Sequence, residues 1–596
     1  MCGISGWFLP DQQLFNTDDL QAMVNALHHR GPDDTGVFLE QSRGVALGHN
    51  RLSILDLSDQ GHQPMQNRKT GDVLVFNGEI YNFRELRSQL QSEGYIFNSS
   101  CDTEVLLYSF EQWGIDCLKQ IKGMFAFALW QPATGILHLV RDPMGIKPLY
   151  YWQPAESDGI VFSSELKAFA KLPGFQSVVN RDSLQCFLEF GYSFHSSETI
   201  FRDVCKLPPG HHMQIRSGSE PEVHRYFFPP LELLEENKQC RVEEQLFDVL
   251  TRVVEEHLVA DVPVGLLLSG GLDSSIIASI ASRLGPIHTF SFGFADSGID
   301  ERPHARVVSQ FIGSEHEEIL LHPDEILQNL EEAASYFDDL FADWGMITTR
   351  LLYKKCREKG IKVVIVGEGA DELFGGYDVF RHALPEKARK PMEWRLFQLY
   401  RAYAGRRYGS QYFAFRARMK EYLRLTGNDV FAAIRLFESR DQLPNNYVMK
   451  VDKASMSESV EARVPFLDSR VAEIAYRIPG NMLISSQDEK IMLRRMAMRY
   501  DLLPEEIIKR KKFGASIAAN WMDDSGTFRD YARELILARG AWVDELGLRQ
   551  AMQAYFDSEK SGYRFPRAIS IFRNLAWRLL ILELWSKSAV PVHGHG

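Results

Sequence analysis

Val264-Gly265-Leu266-Leu267-Leu268-Ser269-Gly270-Gly271-Leu272-Asp273-Ser274-Ser275 decides the architecture of the larger part of the chain. Its apolar opening reads as a short strand buried on both faces. Two glycines then let the backbone approach an anion closely, and the N–H groups opening the helix predicted over Ser274–Leu284 point at that anion. The turn contains no Lys, so it is not a Walker A loop. Working outward, a strand is predicted over His288–Phe294, a helix over Glu301–Ile312 and a strand over Glu317–Leu321. Two helical stretches lie between Pro323 and Lys359, and a strand over Lys362–Val366 follows. Short apolar strands alternating with helices imply an α/β parallel sheet with right-handed crossovers. Gly367-Glu368-Gly369-Ala370-Asp371-Glu372-Leu373-Phe374-Gly375-Gly376-Tyr377 lies just past the last of these strands, at the end where open α/β sheets bind ligands. From about Val379 onward apolar residues recur at helical spacing, as in Ala568–Leu582, a mostly helical completion of this domain.

The part before residue 216 reads differently. Val73-Leu74-Val75-Phe76 runs into Asn77-Gly78, a turn signal. Met124–Trp130 and Ile136–Val140 flank Pro132-Ala133-Thr134-Gly135 as a hairpin, and Phe83–Glu93 and Thr103–Trp113 have helical spacing. Strands with a few helices and no strict alternation suggest an α+β layered domain. Residues 216–242, with Ser217-Gly218-Ser219-Glu220-Pro221, Phe228-Pro229-Pro230 and the charged stretch Glu235–Arg241, read as a linker. The expected organisation is a first domain over 2–215, this linker, and a second domain over 243–590.

Composition narrows the function classes. The chain has 596 residues, 45% hydrophobic and 24% charged, with a net charge of −12. It can bury a large core, and its charge argues against non-specific nucleic-acid binding. No apolar run reaches the ~18 residues that cross a bilayer, so no membrane insertion is expected. Its seven cysteines are scattered without CxxC spacing, which argues against a disulfide framework or structural zinc and fits a reducing cytoplasm. Cys2 follows the initiator Met. Removal of Met1 would give one residue both a thiol and an α-amine with a pKa near ~8 that can take the thiol proton.

Met1-Cys2-Gly3-Ile4-Ser5-Gly6, His29-Arg30-Gly31-Pro32-Asp33, Arg51-Leu52-Ser53-Ile54, Asn77-Gly78-Glu79-Ile80-Tyr81-Asn82 and Asp102-Thr103-Glu104 resemble, in order and spacing, the class II glutamine amidotransferase half of glutamine-dependent asparagine synthetases. The resemblance implies an antiparallel four-layer αββα sandwich with Cys2 attacking the side-chain amide of glutamine. It implies oxyanion donors from the Asn77 side chain and the Gly78 N–H on the turn after the strand. Arg51 would grip the substrate α-carboxylate, with Leu52, Ser53, Ile54 and Leu55 beside it. Asp102, helped by the Glu79 segment, would accept from the α-ammonium. Singly these residues have plain alternatives: a hairpin turn for Asn77-Gly78, a surface charge for Arg51, a helix cap for Asp102.

The turn Ser269-Gly270-Gly271-Leu272-Asp273-Ser274 resembles the PP-loop of ATP pyrophosphatases, and Gly367–Tyr377 resembles asparagine synthetases. The resemblance implies ATP as co-substrate held by Leu268, Ser269, Gly270, Gly271, Asp273, Ser274, Phe292, Val366, Gly367 and Lys453. It implies Glu368 serving the acyl-adenylate, Asp273 and Asp371 on Mg²⁺, and Lys490 as a catalytic lysine. A helix cap for either Asp, or a solvated helix charge for Lys490, stays open. Glu461-Ala462-Arg463-Val464-Pro465-Phe466-Leu467-Asp468 also matches the family and reads as structural, Pro465 fixing a turn. The family usually has Ser where this chain has Val366. The implied substrates are glutamine and aspartate, or another carboxylic acid such as a sugar uronic acid, with no nucleic acid; a homodimer stays open. A scaffold with vestigial sites and a stand-alone amidohydrolase are the rival readings from other classes.

Overall fold

The computed structural model describes residues 2–10, 14–155, 157–234, 241–294, 300–405, 409–511, 522, 526–557 and 568–588. Met1 and most of the charged stretch Glu235–Arg241 lie outside them. Strands of the first half are β1 (Gly3–Phe8), β2 (Asp34–Glu40), β3 (Val45–Arg51), β4 (Met65–Gln66), β5 (Val73–Ile80), β6 (Gly123–Gln131), β7 (Ile136–Arg141), β8 (Tyr150–Trp152), β9 (Ile160–Ser163), β10 (Val204–Lys206), β11 (His211–Arg216) and β12 (Glu222–Arg225). They form two sheets, ordered β10-β8-β9-β1-β3-β2 and β12-β11-β7-β6-β5-β4, antiparallel throughout.

Alternation along β5 explains the layers. Val73 and Val75 face the other sheet with Ile4, Phe8, Leu47 and Phe162, the dry interior of a sandwich. Leu74 and Phe76 face the opposite way, against Phe83, Leu86 and Leu90 of helix α2 (Phe83–Ser92) and Val105, Leu106 and Phe110 of helix α3 (Asp102–Trp113). Helix α1 (Thr17–Ala26) buries Leu20, Met23 and Val24 and starts at a capping box between Asn16 and Asp19. The result is the expected αββα stack.

Asn77-Gly78 is not a turn. Both residues lie inside β5, paired with Ala126 and Phe125 of β6. The local turn signal lost to strand pairing on both sides, and the strand runs on to Ile80. The first sheet system also extends into the stretch read as a linker, because β12 pairs with β11.

The second half carries a five-stranded parallel sheet: β13 (Val264–Leu267), β14 (His288–Phe294), β15 (Glu315–Leu321), β16 (Val363–Ile365) and β17 (Glu461–Arg463), in the order β15-β14-β13-β16-β17. Strand order reverses between β13 and β16. That switch point is where open α/β sheets leave a crevice for ligands. The turn after β13 and the Gly-Glu-Gly run after β16 both empty into it, and helix α4 (Leu272–Leu284) starts at its rim. β17 occupies a stretch expected to be only a structural turn. Helices fill most of the remainder, ending in Ala568–Ser588, and no helix is long and apolar enough to cross a membrane among the described residues.

Candidate active sites

Cys2 sits just before β1, buried at 7% exposure, in a pocket lined by Arg51, Leu52, Ile54, Leu55, Gly61, Gln63, Phe76, Gly78, Glu79, Asp102, Thr103 and Glu461. Hydrogen-bond alternation along β5 explains its polarity. Phe125 N–H and C=O both bond Asp142 on the far side of β6, so its partner Gly78 turns its own N–H away from β6. On that same free edge Phe76 N–H donates to Gln63 Oε1 at 2.7 Å and Ile80 N–H donates to Asp102 Oδ2 at 2.9 Å. The Gly78 N–H lies between them and faces the pocket. Glycine is required there, since a Cβ would fall 2.2 Å from Met124 O. Asn77 Oδ1 accepts from Cys2 N–H at 3.1 Å, while its Nδ2 is buried with no hydrogen-bond partner among the described residues. Asn77 thus touches the Cys2 backbone without lining the pocket, and Gly78 lines it; these are the two groups an oxyanion would need as donors.

Other predicted residues fall around this pair. Arg51 is 6% exposed, no surface charge, and donates to the carbonyls of Ser58, Leu55 and Asp56. Ser53 does not line the pocket; its N–H donates to Asp33 Oδ2. Asp102 is the first residue of α3 rather than its cap, and its carboxylate points back at β5. Burial pushes Asp102 up to about 6, against the Ile80 hydrogen bond that favours its charge. Burial also pushes the Cys2 thiol up, opposed by the Leu52 backbone hydrogen bond and the Arg51 charge. Free space in the pocket is about 30 Å³, room for a water or two.

The wall of this pocket includes a residue from the other half. Glu461 of β17 lines it, and Arg463, two residues on, joins Glu461 at 2.6 Å and Glu79 at 3.0 Å. Arg463 also donates to the carbonyls of His257 and Val259. Burial drives Glu79 well above the carboxylate range, with Arg463 opposing; at Glu461 burial also pushes upward, but Arg463 together with Lys147 and the other nearby positive charge holds it below its usual range. Nothing in the sequence spacing placed Glu461 beside Cys2; only the topology of β17 does.

At the switch point, Ser269, Gly271, Leu272, Asp273, Glu301, Asp371, Glu489, Lys490, Arg494, Arg510 and Lys511 line a cavity of about 190 Å³. Ser269 Oγ accepts from Gly271 N–H at 3.2 Å and lies 3.0 Å from Ser274 Oγ, which fixes the turn. Gly270 has φ +67°, and a Cβ there would strike Ala305 N at 2.5 Å. Gly367 packs onto this turn, where a Cβ would lie 3.0 Å from Ser274 N. Lys490 is no solvated helix charge: it is 4% exposed, with Nζ 2.5 Å from Asp273 Oδ2 and 2.6 Å from Asp371 Oδ1. Burial lowers its pKa, but the two carboxylates more than offset this and hold the ammonium above its usual range. Gly376 closes over them; a Cβ would meet Asp371 Oδ1 at 1.9 Å. Arg494, Arg510 and Lys511 were not anticipated as site residues. Arg510 Nη1 donates to Gly270 O at 3.0 Å, so the basic run Lys509–Lys512 was the available signal.

Leu268 and Val366 are buried, and their backbone N–H groups are committed to Phe290 O and Arg463 O. Phe292 stays half-buried on β14. Burial raises Glu368, and the charge pulling it back is Lys450, whose Nζ bonds Asp343 Oδ1 at 3.1 Å. Lys453 does not reach the glycine turn. It is buried between the halves, 2.6 Å from Asp338 Oδ1 and 3.5 Å from Glu165 Oε1, because a carboxylate from each half claims its ammonium. Among the described residues no three acidic, His or Cys side chains form a metal cage. Asp273 and Asp371 converge on the Lys490 ammonium, and as an oxygen-only pair they are a partial set that would suit a hard cation keeping waters and phosphate oxygens.

The two sites meet through more than β17. Asp56 N–H donates to Asp261 Oδ2, and Asp261 N–H donates to Ile54 O, tying the segment beside the Cys2 pocket to the chain entering β13. Arg30 donates to Cys2 O at 3.1 Å, to Glu165 and to Asp452 of the helix Val448–Met456.

A glutamine amidotransferase domain model matches residues 1–227, and an asparagine synthase model matches 245–587. The chain is 31% identical to asparagine synthetase [glutamine-hydrolyzing] 1 of Bacillus subtilis, covering 90% of each chain. It is 32% identical to a putative asparagine synthetase [glutamine-hydrolyzing] of Mycobacterium tuberculosis, over 95% of this chain and 94% of that one. Amidase chry2 of Gibberella zeae is 31% identical over 64% of this chain and 60% of its own. With both domain models matched in order and relatives aligned along nearly the whole length, the chain belongs to the glutamine-hydrolysing asparagine synthase family.

Proposed function

We propose that this protein is a glutamine-dependent asparagine synthetase. With Met1 removed, the Cys2 α-amine takes the thiol proton, and the thiolate attacks the glutamine amide carbon. The oxyanion forms between Asn77 Nδ2 and the Gly78 N–H. Arg51 and Asp102 hold the substrate's α-carboxylate and α-ammonium. Ammonia leaves, and water hydrolyses the thioester to glutamate. In the second site the β-carboxylate oxygen of aspartate attacks the α-phosphorus of ATP, pyrophosphate departs, and ammonia displaces AMP to give asparagine. Asp273 and Asp371 would hold Mg²⁺, which when bound supplies charge neutralisation on the phosphates. Lys490, Arg494, Arg510 and Lys511 supply the protein's own positive charge toward the same phosphates.

Support comes above all from one observation: the Asn77 side chain is bonded to Cys2 through Oδ1 with its Nδ2 left over, and Gly78 lines the Cys2 pocket, whose wall also includes Glu461 from a strand of the parallel sheet. Aspartate as acceptor rests on the names of the full-length relatives, and the kinship to an amidase makes the acid the point to test. Mass spectrometry of products from glutamine, ATP–Mg²⁺ and a panel of acids decides it. Asparagine with AMP supports the reading. AMP release with a sugar uronic acid and none above background with aspartate overturns the choice of acid.

A further inference from the structure

Two helices outside both sites, Met392–Ala404 and Tyr412–Leu425, carry a surface of opposite character to the rest of the chain. Residues 385–427 hold eleven Lys and Arg against three Glu, in a protein of net charge −12. Trp394, Phe397 and Arg401 lie at i, i+3 and i+7 on one helix, and Phe413, Arg416, Lys420 and Arg424 at i, i+3, i+7 and i+11 on the other, so each set shares a face. The faces adjoin: Glu393 of the first helix pairs with Arg416 at 2.7 Å and Lys420 at 2.6 Å of the second, and Phe397 packs on Tyr412 at 6.0 Å. Glu393 is thereby spent on two cations, and Lys390, Arg401 and Arg424 add to the surplus. Phe413 is 74% exposed, Leu425 40% and Trp394 38%.

We propose that this face docks the protein peripherally on an anionic lipid surface. Phe413, Leu425 and Trp394 enter the headgroup–acyl boundary while the lysines and arginines meet lipid phosphates. A nucleic acid fits less well. Lys390 and Arg401 each lie 6.0 Å over one face of the Trp394 and Phe397 rings, occupying surfaces that bases would stack on, and Leu425 offers a base nothing. The attachment is an apposition of surfaces, since no described helix spans a bilayer.

Co-sedimentation of the full chain with vesicles tests this. Binding is expected to phosphatidylcholine vesicles containing about 30% phosphatidylglycerol, with little to phosphatidylcholine alone, and to fall away in about 0.5 M salt. Trp394→Ala with Phe413→Ala, and separately Arg416→Glu with Lys420→Glu, should each weaken binding at least roughly tenfold. Glutaminase and ATP–pyrophosphate exchange activities should be unchanged, which shows that the variants fold. Equal binding to neutral vesicles, or unaltered binding by folded variants, overturns the proposal. So does a patch-dependent preference for single-stranded DNA over vesicles, or a dimer that the same substitutions dissolve.

Discussion

Arg463 and Glu79 form an ion pair at 3.0 Å, both buried, although one belongs to the parallel sheet and the other to the strand behind Cys2. The same guanidinium holds Glu461 at 2.6 Å and two carbonyls beyond. Removing one member of such a set leaves buried charge without a partner. Arg463→Ala is therefore expected to cost about 3–5 kcal/mol of unfolding free energy, read by urea denaturation. Glu79→Gln should cost less, because Arg463 keeps Glu461 and two carbonyls as partners.

Asn77→Ala removes the buried amide donor next to Cys2. Glutamine-dependent synthesis is expected to fall on the order of 10²–10³-fold, while synthesis from added ammonia keeps its rate. Equal loss with both nitrogen sources would refute the oxyanion role. Cys2→Ala should leave ammonia as the sole nitrogen source.

Asp102 must be ionised to accept from a substrate ammonium, and its pKa is raised to about 6 by burial. Above that pH the carboxylate is charged and glutamine binds; below it the proton removes the interaction. Glutaminase kcat/KM is expected to fall about tenfold per pH unit below ~6, with Asp102→Asn giving a low, flat profile. Stability runs the other way. A carboxyl whose folded pKa exceeds its unfolded value disfavours folding once ionised, so this residue's penalty shrinks as pH falls through about 6. A profile with the same acid limb in Asp102→Asn would assign the titration elsewhere.

Lys490 and Arg510 should separate from Lys453 in nucleotide assays. Lys490→Met is expected to abolish ATP–pyrophosphate exchange, and Arg510→Ala to raise the KM for ATP at least roughly tenfold. Lys453→Met should leave that KM unchanged and lower the melting temperature, since its ammonium balances Asp338 and Glu165. A shifted ATP KM in Lys453→Met would return it to the nucleotide.

Much of this was legible before any coordinates, for physical reasons that differ by element. Val264–Leu268 followed by two glycines could only be a buried strand ending in a tight approach, and the α/β half grew outward from it. Asn77-Gly78 misled because its turn chemistry is local, whereas its conformation is set by β6 across the sheet. Lys453 misled because a motif gives a position along a helix and not the carboxylates that face it. Glu461, Arg510 and Lys450 were missed because the groups they meet lie far along the chain, and no spacing encodes a contact made by topology. Val366 has a buried side chain and an N–H committed to Arg463 O.

β17 has a practical consequence for anyone dividing this enzyme. By connectivity it is part of the carboxyl-terminal module, yet Glu461 lines the thiol chamber and Arg463 holds Glu461 and Glu79 from behind it. A cut anywhere near residue 240 would separate the genes cleanly and the chemistry badly, delivering an amino-terminal fragment with a hole in its back wall. Transplanting the glutaminase onto a foreign acceptor module would succeed only if the three residues of β17 travelled with it.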